Sequence, residues 1–401
     1  MKPIYYKILF FNFLIAALFG VLLRSTFVFP LEGLTFLYVL HAHSHIALLG
    51  WLYLLVYVLF VAHFAPNTPT ETRFYQRLFW LTQVAVVGMA LTFPFQGYAA
   101  PSIFFSTLHI LCSYAFVYRL WKFNTMANKQ LALLVKTALF FMFFSTLGVW
   151  FLGPAIGMMG KAAIFFQLCI QFFLHFQFDG WFFTAFLALL FAKVFPQAMD
   201  QQLFYRFYGL WITSVVLTYA LAVSWYIEAP MFYYINGVGV LLQTGAMGYF
   251  MWPLYRKRRE KQIVTIPLVR GLLLFVGVCL VMRMGIQILT LIESVATSLL
   301  GLRSWIVGFI HLNMLGIFTA LGIALLLQEG KLALNFWTKA GCISLLIGFI
   351  STEALLGLQG IQQFFSTLIL DSGANAILLF WFSLFLPLGL IGVWKGVHGK
   401  W

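Results

Sequence analysis

Charge is what this chain most lacks. Ten acidic residues occur in 401, and all charged types together make up 8%. So few ionised groups cannot clothe a water-soluble protein of this length, which excludes a soluble enzyme or a soluble nucleic-acid-binding domain. No stretch is long and polar enough for an appended soluble domain. Cysteine is scarce as well. Cys112, Cys169, Cys279 and Cys342 are far apart, each inside an apolar run. That excludes a disulfide framework, a CxxC pair or a cysteine zinc site, and the lack of CxxCH excludes a covalent c-type haem. What is abundant is apolar surface: 63% hydrophobic and 19% aromatic residues, with a mean hydropathy of +0.97. The chain reads as an all-α, polytopic integral membrane protein. Its net charge of +14 reflects Lys and Arg retained in cytoplasmic loops rather than a nucleic-acid partner.

Apolar segments of roughly 20 residues, enough to span a bilayer, fall at 7–29, 36–63, 74–96, 100–122, 131–153, 162–193, 203–225, 230–253, 266–290, 303–328, 333–355 and 373–395. Phe29-Pro30, Pro66 to Pro69, Gly97 to Pro101, Gly153-Pro154 and Ala229-Pro230 punctuate them. The first run lacks a small-residue cleavage site and reads as a membrane helix rather than a signal peptide. Twelve spans with both termini cytoplasmic leave only Arg24, Lys161, Arg283 and Arg303 away from the inner side, a strong positive-inside bias. The basic run Arg256 to Arg259 reads first as a topology signal and second as a contact for anionic lipid.

Within these segments one pattern recurs. His45, His175 and His311 each stand five residues before a glycine, at Gly50, Gly180 and Gly316, and the first two are followed by Trp51 and Trp181. The spacings of 130 and 136 residues are close to a third of the chain. About half a match of this kind is expected by chance, and three occur. The chain therefore reads as a single transmembrane domain, 1–401, built of three four-helix pseudo-repeats, near 1–129, 130–262 and 263–401. His41, His43, His45, His109, His175 and His311 fall in one layer of the outer half, roughly 9–20 Å below the helix ends at 1.5 Å per residue. His63 and His398 fall near the inner surface.

Membrane imidazoles are uncommon and tend to be functional, so His45, His175 and His311 are candidate ligands for a metal or haem. His41 and His45 share a helix face and His43 points away. A membrane histidine also serves to hydrogen-bond a neighbouring helix, and His109, outside the repeat, reads first in that way. The recurring glycine reads as a close helix-packing position. Asp179, one turn after His175, reads as a partner of that imidazole, a ligand, or part of a proton path. Arg283, with Arg24 or Arg303, would either bind the carboxylates of a cofactor or form salt bridges to Glu293, Glu32 or Glu228. Glu353 lies near the outer end of its segment.

These residues resemble the haem–copper oxidase subunit I superfamily: twelve helices in three pseudo-repeats, with histidines in the outer half of the second, sixth and tenth. The resemblance implies that His45 and His311 ligate a low-spin haem and that His175 is a copper-type or second-iron ligand, with Asp179, His41 and His109 as further candidates. It implies that Arg283 and Arg303 bind haem propionates. The departures are plain: the seventh segment has no histidine, the tenth has one rather than two, and Asp179 stands where many members have tyrosine. The run His41-Ala42-His43 is also similar to twelve-helix, haem- and copper-containing proteins of nitric-oxide response.

Three functions follow as expectations. One is a haem-binding redox protein of a bacterial inner membrane, an oxygen or nitric oxide reductase-like oxidoreductase. It would work with other respiratory subunits or a cytochrome or quinol donor, in contact with membrane lipid and no nucleic acid. The second is a non-catalytic nitric-oxide or metal stress protein, or a haem or copper handling factor. The third, a transporter, fits least, because the polar groups gather in the outer half and the period is in thirds.

Overall fold

The computed structural model describes residues 2–29, 31–259 and 266–397. Pro30, Lys261, His398 and Lys400 lie outside the described residues, as do the side chains of Lys257, Arg258 and Arg259. The protein is helical throughout, with a single isolated bridge, Leu332 to Val397, among the described residues. Among the described residues eleven helices are long and apolar enough to cross a membrane: α1 Pro3–Ser25, α2 Phe36–Phe64, α3 Pro69–Gln96, α4 Ala100–Lys122, α5 Lys129–Met159, α6 Ile164–Val194, α7 Gln201–Ser224, α9 Pro267–Leu289, α10 Arg303–Gln328, α11 Phe336–Phe365 and α12 Ser372–Lys395. Between α7 and α9 runs a further long helix, α8 Met231–Arg259.

Local chemistry sets many of the boundaries. Thr68, Asn128, Asp200, Asn335 and Asp371 cap α3, α5, α7, α11 and α12 by accepting from first-turn amides, which satisfies donors the helix cannot. The break expected at Gly153-Pro154 is not made: α5 continues through Pro154 to Met159. A proline costs the helix one amide bond, and a long membrane helix tolerates that loss. The segment expected at 333–355 likewise extends to Phe365.

Contacts divide the chain into two compact units. The first comprises Met1–Phe116, Ile266–Cys279 and Leu302–Trp401, and the second Val117–Thr265 and Leu280–Gly301. Two of the four boundaries fall inside a helix, one in α4 and one in α9. In the first unit α2 and α10 form the core; in the second, α6 does. These three are the most buried spans, and every residue of 50–60, 179–189 and 316–327 is buried. Large side chains on the other helices, such as Leu91, Val281 and Leu388, face outward, as lipid contact requires.

The three core helices share a backbone irregularity. Each is α-helical down to its motif histidine, then π-helical for eight residues, then α-helical again. The π segments are Ile46–Tyr53, Phe176–Phe183 and Leu312–Thr319. A π turn is one residue wider than an α turn, is rare, and concentrates at functional sites. The repeated glycine lies inside each segment, and a side chain there would collide with a neighbour. A Cβ would come within 2.9 Å of Val86 at Gly50, 2.7 Å of Phe141 at Gly180, and 2.8 Å of Phe349 at Gly316. Below the histidines of the first unit, Trp51 Nε1 donates to Thr319 Oγ1 at 3.0 Å, with the Phe13 ring stacked on the indole at 4.4 Å.

Gly50→Ala, Gly180→Ala and Gly316→Ala should each lower the thermal midpoint of the purified protein, by the equivalent of about 1–3 kcal/mol of overpacking. Gly277→Ala on α9, where nothing lies within 4 Å, should be neutral or slightly stabilising. Equal shifts at all four positions would sink the packing role of the motif glycine.

Candidate functional site

In the first unit the part of the core that holds the histidines is lined by α1, α2, α10 and α11. A histidine is the last α-helical residue above each π segment, so the joint sets where the imidazole projects. On α2 the faces separate as the helical period requires. His41 and His45 lie on the side of Phe93 and Tyr98. The His45 ring is 4.3 Å from Phe93, and the His41 ring is 4.6 Å from Tyr98. His45 Nδ1 donates to the His41 carbonyl at 2.8 Å, and Tyr98 Oη lies 3.3 Å from its Nε2. His43 points the other way. Its Nδ1 donates to the Ala16 carbonyl on α1 at 2.8 Å, and it lies within electrostatic reach of His311 and Arg24. The structure thus brings His43, rather than the expected His45, toward the α10 histidine.

His311 Nδ1 is 3.5 Å from Glu353 Oε1 on α11. Arg24 acts electrostatically on both Glu353 and Arg303, and the Arg303 guanidinium lies over the Phe36 ring at 5.9 Å. One half-buried cluster therefore holds His43, His311, Glu353 and Arg24, with Arg303 exposed at its edge. In His43 the tethered nitrogen is Nδ1, which leaves Nε2 as the basic nitrogen. This is the arrangement that orients an imidazole for metal ligation. His311 presents Nδ1 to a carboxylate in the same sense. His109 is held differently: it is buried, and it bonds the Leu49 backbone within the π segment of α2. That is the helix-to-helix role read for it from the sequence.

The second unit builds another cluster. Arg283 on α9, almost fully buried, donates from Nη2 to Asp179 Oδ1 on α6, and its guanidinium lies over the Phe183 ring at 4.5 Å. The partners expected for Arg283, Glu293, Glu32 and Glu228, are replaced by Asp179. His175 Nε2 donates to the Val215 carbonyl at 2.7 Å, and its Nδ1 is 3.8 Å from Asp179 Oδ2. Its polarity is thus the reverse of that in His43.

Among the described residues no group of three or more His, Cys, Asp or Glu side chains is placed to hold a metal ion. Within the first unit His41 and His45 lie beside Phe93 and Tyr98, His109 beside Tyr53 and His311 beside Glu353; within the second, His175 and Asp179 lie together. No protein-family model matches the chain, and no curated protein is significantly similar to it. The residues themselves carry the functional reading.

Sequence reasoning passed over two members of these clusters and one pairing. On the sequence His43 points away from His45, and Glu353 lies near the outer end of its segment. The Asp179–Arg283 pair had a signal: one acid and one base, each deep in a different membrane segment, must find an opposite charge. Removing one partner of a buried pair costs about 3–5 kcal/mol, because the other is left uncompensated. Asp179→Asn and Arg283→Gln should each depress expression and thermal midpoint sharply, and an Asp179→Leu/Arg283→Met double variant should recover much of the loss. A double variant as unstable as the sum of the singles would mean that the pair is not the reason these residues are buried.

Proposed function

We propose that this chain is a haem-binding redox protein of the membrane, holding the iron in the outer half of its first unit between α2 and α10. The observation that carries the reading is the pairing of His43 with His311 from the two core helices. They lie within electrostatic reach of each other and beside Arg24, with Arg303 and Glu353 in the same cluster. The donor set fits a haem. His43 has its Nδ1 hydrogen committed to a carbonyl and its Nε2 basic, His311 has a carboxylate at Nδ1, and two arginines suit carboxylate groups at the mouth of the site. Bis-imidazole ligation gives a low-spin iron suited to one-electron transfer. Within this reading α8 is the twelfth span, both termini are cytoplasmic, and the membrane is a bacterial inner membrane with a cytochrome or quinol as donor. The architecture is then that of a divergent haem–copper oxidase subunit I.

One observation favours a second reading for the region around His175. Its Nε2 hydrogen goes to Val215 and its basic Nδ1 faces Asp179, so what lies before that nitrogen is a carboxylate already paired with Arg283 rather than the further imidazoles of a copper-type site. A protein that carries haem without reducing oxygen or nitric oxide fits that arrangement.

Reduced-minus-oxidised and carbon-monoxide difference spectra with metal analysis test both readings. Low-spin haem bands with no carbon-monoxide shift are expected, lost in His43→Ala and His311→Ala and kept in His45→Ala. Protein from haem-replete cells without haem bands or stoichiometric metal would remove the proposal. Loss in His45→Ala with retention in His43→Ala would move the α2 ligand to the other face.

A further inference from the structure

We infer that Tyr53 and His109 hold a buried water molecule between α2 and α4, a hydration site apart from the haem reading and independent of it. Both side chains are 1% exposed. The His109 bond to the Leu49 backbone uses Nδ1, because Nε2 is the ring atom left without a hydrogen-bond partner; the Tyr53 hydroxyl is also unpartnered. A carbonyl only accepts, so Nδ1 carries the hydrogen and Nε2 is an acceptor. The site therefore pairs one buried acceptor with one buried donor. The two rings are edge-on, with centroids 4.6 Å apart at 67°, yet they do not bond each other.

Polar groups sealed away from any partner bear their full desolvation cost. A single water removes the cost from both, accepting from Tyr53 Oη–H and donating to His109 Nε2. Buried waters occur where two to four polar partners converge. The Cys112 thiol, one turn along α4 from His109, lies within electrostatic reach of Tyr53. Thr82 on α3 bonds that thiol.

The sign of a stability change decides the matter. In the full-length protein, Tyr53→Phe and His109→Asn, which keeps a donor for Leu49, should each lower the thermal midpoint. The double variant should lose less than the sum of the singles. The infrared C–O band of Tyr53, isolated by subtracting the Tyr53→Phe spectrum, should be that of a hydrogen-bonded phenol. A midpoint raised by Tyr53→Phe would overturn the proposal, because deleting an orphan hydroxyl relieves a cost. So would strict additivity, or a free-phenol band.

Discussion

Everything in this protein answers to one constraint: within hydrocarbon, each backbone amide and carbonyl must find a partner inside the protein. An uninterrupted α-helix meets it unaided. A π segment does not, since the wider turn disturbs the regular ladder, and α2, α6 and α10 each contain one. At two of these joints side chains bond the backbone. In α2 they come from both sides: Asn12 on α1 donates to the Gly50 carbonyl at 2.9 Å, and His109 on α4 bonds Leu49. In α10 the segment supplies its own, Asn313 donating to the Phe309 carbonyl at 2.6 Å. Polar residues that would be liabilities elsewhere in a membrane thus hold these joints.

The same economy governs the charges. Acids are few, and those that enter the core lie next to a base. Asp179 takes Arg283 and faces His175; Glu353 faces His311 and feels Arg24. Each unit therefore contains an imidazole, a carboxylate and an arginine, although the helices that supply them differ. The units differ in the orientation of the ring. In the second the imidazole gives its Nε2 hydrogen to a carbonyl, and in the first His43 gives its Nδ1 hydrogen.

Much of this was legible in the sequence, for reasons that can be named. Apolar length gave the spans, because the thickness of the bilayer sets it. The spacing of His45, His175 and His311 marked three equivalent helices, and the packed glycines explain why that residue recurs. The rest was hidden where contacts between distant segments decide. Asp179 and Arg283 are 104 residues apart, and no local pattern announces their bond. The π joints are equally silent, since they change the angular register of a helix whose apolar composition hardly varies. His41, His43 and His45 all precede the joint in α2, so their faces follow the α period; which of those faces turns toward α10 depends on packing between helices and had to come from the structure.

The hydrogen bond from Trp51 to Thr319 has a mechanical meaning. It ties α2 to α10 just beneath their histidines, and the stacked ring of Phe13 stiffens the tie. Below it both helices are sealed on every side; above it their side chains are only half covered. Two rods pinned part-way along keep a fixed register: neither can slide along its axis without breaking the indole bond, so the histidines about two turns from the pin keep their heights relative to one another.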